Sequence, residues 1–199
     1  MKRVLIASLL SLAFASAAQA TVLTTQYDGE NYHNGNMFDV VTINGALKVT
    51  GLNLNIDQNS NIQVYKKAGT WVGSENNAAV WTLVGSGPAT SEGFYMGSYF
   101  DVADFILDAN STTGLYITTT DSHLNYTNGT AVGKIAAANA DLQILEGSGN
   151  AYAFSTIFTP RIWNGGIEYV AAATVPEPAS LGLLGLGLAT FGLVRRRRA

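Results

Sequence analysis

The chain has 199 residues, 47% of them hydrophobic and only 13% charged, with 21 Gly, 4 Pro and no Cys. A charged fraction about half the roughly 25% usual in soluble domains excludes a coiled coil, a disordered polyampholyte and a basic nucleic-acid binder. The lack of cysteine excludes a disulfide scaffold, a thiolate zinc site and a cysteine nucleophile.

The formal charge of −3 is unevenly spread: between residues 21 and 175, five basic side chains stand against thirteen acidic ones. Basic residues gather instead at the two ends. Met1-Lys2-Arg3 opens a positive segment, Val4 to Ala17 is an apolar run, and Ala18-Gln19-Ala20 puts small residues at the −3 and −1 positions of a cleavage site. That is the three-part layout of a secretory signal peptide over residues 1–20, with signal peptidase as its processing enzyme and Thr21 as the mature N-terminus. The run is too short for a stable spanning helix, which needs roughly 20 apolar residues. Export across the inner membrane follows.

Residues 21–170 form one domain, long enough for one core. Short alternating runs recur through it, and amphipathic helical periodicity is absent. Met37 to Ile43 is the first candidate strand, and Asn44-Gly45 after it signals a two-residue hairpin. Leu47 and Val49 alternate, then Leu52, Leu54 and Ile56 alternate in the opposite phase, which predicts a bulge at Gly51. Ile62 to Lys66 ends in the turn Lys67-Ala68-Gly69, and Ala79 to Val84 places Trp81 and Leu83 on one face. Further strands are predicted at Phe105 to Asp108, Leu115 to Thr120, Leu124 to Thr127, Leu142 to Leu145, Phe154 to Phe158 and Ile162 to Val170. Lys134 to Asp141 reads as a loop or a single turn. The sum is an all-β, antiparallel β-sandwich, jelly-roll-like, of about nine or ten strands.

The tail begins with a linker, residues 171–178, that contains Pro176-Glu177-Pro178. The two prolines remove two backbone donors and disfavour helix there. Residues 179–194 carry no charge and suit a transmembrane helix of about 24 Å, short of a hydrocarbon core of about 30 Å but able to span it with snorkelling arginines and bilayer thinning. Arg195, Arg196, Arg197 and Arg198, within the terminal segment 195–199, form a cytoplasmic stop signal.

In that order, Pro-Glu-Pro, apolar helix and terminal arginines resemble the PEP-CTERM sorting signal of Gram-negative bacteria, a tail also catalogued as the ice-binding protein C-terminal domain. The resemblance implies exosortase as a partner, a membrane-embedded cysteine transpeptidase-like enzyme that cleaves near Pro176, Glu177 and Pro178. It implies transient anchoring in the inner membrane and then a cell-surface or extracellular location, in bacteria that typically make extracellular polysaccharide. The catalogue name carries no evidence of ice binding. Met37-Phe38-Asp39-Val40, Val80 to Gly85, Tyr116 to Thr119 and Pro160 to Gly165 resemble an uncharacterised secreted bacterial β-module, which implies an extracellular sandwich and supplies no activity.

Chemistry is sparse. Asp28, Glu30, His33 and Asp39, or Asp101, Asp104 and Asp108, contain oxygen and imidazole groups of the kind that hold divalent cations, but neither has metal-ligand spacing, and such residues in Gly-rich loops are usually turn formers. No metal or cofactor is assigned. Gly85-Ser86-Gly87 and Gly147-Ser148-Gly149 lack the spacing of a nucleophile elbow, and no phosphate-binding glycine pattern appears, so the chain reads as no enzyme. Aromatic side chains are the better binding candidates, because a flat ring matches the apolar face of a sugar. Trp81 and Trp163 are expected in the core, whereas Trp71, between glycine turns, and Tyr32 are candidate ligand-binding residues. The expected role is a structural or adhesive surface protein of the extracellular matrix, with exopolysaccharide as a possible partner; a lectin-like glycan-binding module is the alternative, and a secreted hydrolase is further off.

Overall fold

Runs of alternating apolar residues broken by Gly, Asn and Ser leave the chain no option but short strands. The computed structural model describes residues 19–172. The expected signal peptide up to Ala18, the Pro-Glu-Pro motif, the helix over 179–194 and the arginine cluster lie outside the described residues. Among those described, no helix is long and apolar enough to cross a membrane.

The strands are β1 (Thr21–Thr24), β2 (Asn31–His33), β3 (Gly35–Thr42), β4 (Leu47–Leu54), β5 (Ser60–Ala68), β6 (Thr82–Ala89), β7 (Ser98–Phe100), β8 (Phe105–Leu107), β9 (Thr112–Thr119), β10 (Leu124–Asn128), β11 (Ile135–Ala138), β12 (Leu142–Leu145), β13 (Gly147–Asn150), β14 (Ile157–Trp163) and β15 (Gly165–Ala171). All pair antiparallel in two sheets. The five-stranded sheet runs β1-β15-β4, with β7 and β8 in tandem along the far edge of β4. The ten-stranded sheet runs β2-β10-β14-β13-β3-β9-β5-β6, with β12 beside β3 and β11 beyond it. The all-β antiparallel class is as expected, whereas five strands against ten differ from the eight-stranded jelly roll.

Between the sheets lies one core. Leu47, Val49, Leu52, Leu54, Ile167 and Tyr169 of the smaller sheet meet Phe38, Val40, Ile62, Val64, Leu115, Ile117 and Trp163 of the larger. Trp163 stacks on Phe38 with ring centroids 4.7 Å apart and an 11° interplanar angle. The phase change in β4 is the expected bulge: Glu168 pairs with Gly51 and Tyr169 with Val49, leaving Thr50 extra. A Cβ there would lie 2.6 Å from the Tyr99 ring, which is half exposed and would have to swing aside.

Four expectations are corrected. Asn44-Gly45 does not close a hairpin, because β3 and β4 lie in opposite sheets. The turn is a corner, held where the Ile43 N–H donates to Asp141 O at 2.9 Å and Asn44 Nδ2 to Ala140 O at 3.0 Å. The run Ile162 to Val170 is two strands, since the chain changes sheet at Asn164, a buried residue whose side chain bonds Thr127 and the Gly29 N–H. Lys134 to Asp141 contains β11, paired with β12. Leu83 does not share a buried face with Trp81, being 49% exposed.

A second, smaller core covers the outer face of the larger sheet. Met37 and Tyr116 point outward there, and Trp71 and Trp81 fold over them from the β5–β6 connection, with Tyr65, Phe154 and Ile157 alongside.

Register gives the body two poles. Leu54 pairs with Ser98 and Gly165, Ser60 with Ala89, and Ile62 with Thr119, so the β4–β5, β6–β7 and β9–β10 connections gather at one pole. At the other, Thr21 pairs with Tyr169 and the Ala172 N–H donates to Ala46 O at 2.9 Å. Both ends of the body therefore leave from the same pole.

Candidate functional site

Pairing of β2 with β10 sets His33 opposite Leu124 and Tyr32 opposite Asn125. It brings the chain's two histidines, His33 and His123, into one cleft of about 240 Å³, lined by Tyr32, His33, Asn34, Ser122 and His123. The cleft lies by the β9–β10 turn, at the pole opposite the chain ends. Tyr32 is 67% exposed, and its ring leans on His123 at a centroid distance of 4.7 Å and 42°.

Each imidazole is held by one nitrogen. The Asn34 N–H donates to His33 Nδ1 at 2.9 Å, and Phe158 stacks behind the His33 ring at 5.1 Å. His123 Nε2 lies 3.1 Å from Asp57 Oδ1. Gln58 Nε2 donates to Ser122 Oγ at 2.9 Å, and Asn34 Nδ2 to Ser122 O at 3.1 Å. Hydrogen bonds from Asn34 and Gln58 thus hold the walls of the cleft.

The other sequence candidates fall elsewhere. Trp71 is not exposed: it is 2% accessible, packed with Met37, Trp81 and Tyr116. The reason is Asp39 beneath it, which accepts from the Trp71 N–H at 2.9 Å and from Thr70 Oγ1 at 2.6 Å, fastening the loop to the sheet. Burial raises the Asp39 carboxyl above its ordinary value, although Thr70, the Trp71 amide and Lys67 pull the other way. Asp39 is thereby far from the role of a partner to His33. Glu30 accepts from the Asn128 N–H at 3.2 Å, and Asp104 pairs with Lys48 at 2.6 Å. Among the described residues no three His, Asp or Glu side chains converge on a point where a metal ion would sit. Trp81 and Trp163 are buried, as expected of core residues. Ala20 and Thr21 are exposed, Thr21 opening β1; Ala18, Pro176, Glu177, Pro178 and Arg195 to Arg198 lie outside the described residues.

Glu146 is the other buried acid. It accepts from the Thr130 and Ala131 N–H groups, the latter at 2.9 Å, and from Thr130 Oγ1 at 3.1 Å. Burial pushes its carboxyl up, but these donors and Lys134 outweigh that and hold it below its ordinary value. It holds the loop between β10 and β11.

The sequence singles out Tyr32, and His33 within a separate acidic group, but not Ser122 or His123. Ser122 and His123 reach the cleft through the pairing of β10 with β2, which joins residues about ninety positions apart and which no local pattern announces.

No curated protein matches the chain. Among solved structures, the structure of infectious bursal disease virus Gt strain resembles it at 12% identity and a TM-score of 0.19, covering 94% of this chain and 54% of that one. The chain thus spans about half the length of that viral chain, and a likeness at that TM-score assigns neither fold nor function. The informative match is at the C-terminus, where residues 174–198 fit the family model of the PEP-CTERM protein-sorting motif. The all-β body is thus followed directly by a signal for export and surface sorting, and the chain is a protein that carries a PEP-CTERM domain.

Proposed function

We propose that this is an exported surface or extracellular-matrix protein, sorted and cleaved by exosortase, whose β-sandwich body is structural or adhesive and non-catalytic. The observation that carries the sorting half is the match at residues 174–198. After signal peptidase releases Thr21, the apolar segment 179–194 holds the chain in the inner membrane with Arg195 to Arg198 on the cytoplasmic side. Exosortase then cuts near Pro176-Glu177-Pro178, where two prolines keep the backbone extended and accessible.

The non-catalytic reading of the body is supported by how its buried acids are used. General acid–base work needs a carboxyl poised within reach of a substrate. Asp39 and Glu146 each spend their oxygens on backbone and hydroxyl donors that fasten loops. A second reading, a lectin-like glycan-binding module, is favoured by the exposed Tyr32 ring beside a cleft lined by His33, Asn34, Ser122 and His123.

Intact mass of the protein from membrane and extracellular fractions of its native host tests the sorting half. The expected species begins at Thr21 and ends near Pro178. A membrane-bound species that retains Arg195 to Arg198 in all fractions would overturn exosortase processing and leave a permanent anchor.

A further inference from the structure

We propose that the cleft of Tyr32, His33, Ser122 and His123 is a binding subsite for one neutral pyranose ring of a polysaccharide. The inference rests on the surface-exposed body proposed above and deepens its adhesive role into a named ligand chemistry.

Size sets the first limit. Pockets for drug-sized ligands run from about 300 to 1,000 Å³, and a cleft of about 240 Å³ suits a single sugar ring with its chain continuing on either side. Tyr32 supplies the flat apolar plate. A large aromatic left 67% exposed on a three-residue edge strand contributes little to the core, and its lean on His123 restrains it ahead of any ligand. Preorganised rings reduce the entropy lost on binding.

The polar atoms fit hydroxyls. Because His33 Nδ1 accepts the Asn34 N–H, the neutral ring carries its proton on Nε2 and presents a donor. His123 Nε2 lies 3.1 Å from Asp57 Oδ1, and with its proton on that nitrogen the neutral ring has Nδ1 as an acceptor. Ser122 Oγ accepts from Gln58 and keeps its own proton to donate. Donor, acceptor and hydroxyl around an aromatic plate match vicinal sugar hydroxyls, each of which can give one hydrogen bond and accept up to two. No Lys or Arg lines the cleft, so no permanent positive charge in it favours a uronate or phosphate over a neutral sugar.

Placement agrees. The body leaves toward its sorting motif from one pole, and the cleft sits at the other. The eight residues of β4 between the poles span about 26 Å, so the cleft faces away from whatever holds the tail.

The test is migration of the full-length protein, in detergent, through native gels cast with dextran, galactomannan or alginate. Retardation by dextran or galactomannan is expected, with an apparent affinity loss of about tenfold or more in Tyr32→Ala and in His123→Ala. Tyr95→Ala, outside the cleft, should migrate like wild type. His33→Gln and Ser122→Ala, conservative and partly exposed, give the same reading if His123→Ala unfolds, and each variant's thermal melt is recorded. Four results overturn the proposal: no retardation by either neutral polymer, retardation unchanged in the cleft variants, retardation by alginate alone, or Zn²⁺ binding that depends on His33 and His123 without any sugar binding. The intact-mass experiment is independent of these gels. A processed tail with no retardation sinks the pyranose subsite and spares the sorting reading, whereas an uncleaved tail with retardation does the reverse.

Discussion

Glu146 and Asp39 are both buried acids, and they respond to pH in opposite directions. The folded state lowers the Glu146 carboxyl below its ordinary 4.5. Its contribution to stability is fully present above that value and is lost as pH falls through the lower folded one. Glu146→Gln should therefore lose less stability on acidification than wild type, which thermal melts from about pH 6 down to about pH 3 would read. Asp39 is raised above its ordinary 3.8, so its contribution is present below that value and is lost as pH rises through the higher folded one. Asp39→Asn should gain on wild type between about pH 3 and about pH 7 in the same melts, and a constant difference would mean that its burial is compensated. Trp71, set down on this carboxylate, fills the second core. Trp71→Ala should cost about 3–5 kcal/mol in chemical denaturation, and a cost under about 1 kcal/mol would mean the β5–β6 connection can lift off the sheet without consequence.

At the scale of elements, glycines decide which strands can touch. In β13 a Cβ on Gly147 would fall 1.9 Å from Met37 O and 2.8 Å from Phe38 Cα. Those are backbone atoms of the central strand β3 and have nowhere to go. Gly147→Ala should cost about 3 kcal/mol or more, the upper end of overpacking penalties. Gly45→Ala, with nothing within 4 Å of its Cβ, should stay within about 0.5 kcal/mol of wild type. Equal effects at the two positions would discredit the β13–β3 contact. The same strand marks a limit of sequence reading. Gly147-Ser148-Gly149-Asn150 has the composition of a turn, yet it is a fully buried strand because β3 and β14 hold it on both edges. Where apolar alternation was strong, as in β4, β5, β9 and β12, the element and even the bulge at Gly51 could be read in advance. The corner at Asn44-Gly45 could not, because hairpin chemistry and corner chemistry use the same residues, and only partners far along the chain choose between them. The cleft was half legible for the same reason: Tyr32 stands out as an aromatic in a polar stretch, while His123 joins it through ladder geometry.

The whole molecule is asymmetric along its strands. The first strand of the body and the strand that leads to the sorting motif are hydrogen-bonded neighbours, Thr21 beside Tyr169 and Val22 beside Glu168. The chain therefore enters and leaves the body at one pole, and neither end has to cross the body. Val22, 48% exposed on β1, sits at an open sheet edge of only four residues, short enough to limit edge-to-edge pairing between copies. Deleting residues 21–24 should uncover β15 and remove Leu23 from the core. The expected result is a lower melting temperature together with concentration-dependent association in sedimentation velocity. An unchanged monomer would show that β15 tolerates an open edge.

β15 also has a mechanical meaning. It lies between β1 and β4 and is paired with β4 along its whole length from Gly165 to Ala171, and the chain leaves it at the pole of attachment. A load taken up at the opposite pole and resisted at the tail runs parallel to these strands. The ladder is then pulled in shear, so that its hydrogen bonds share the force together instead of opening one after another like a zip. The strand that leads to the sorting motif is thus also the one oriented to bear tension in the adhesive role proposed above.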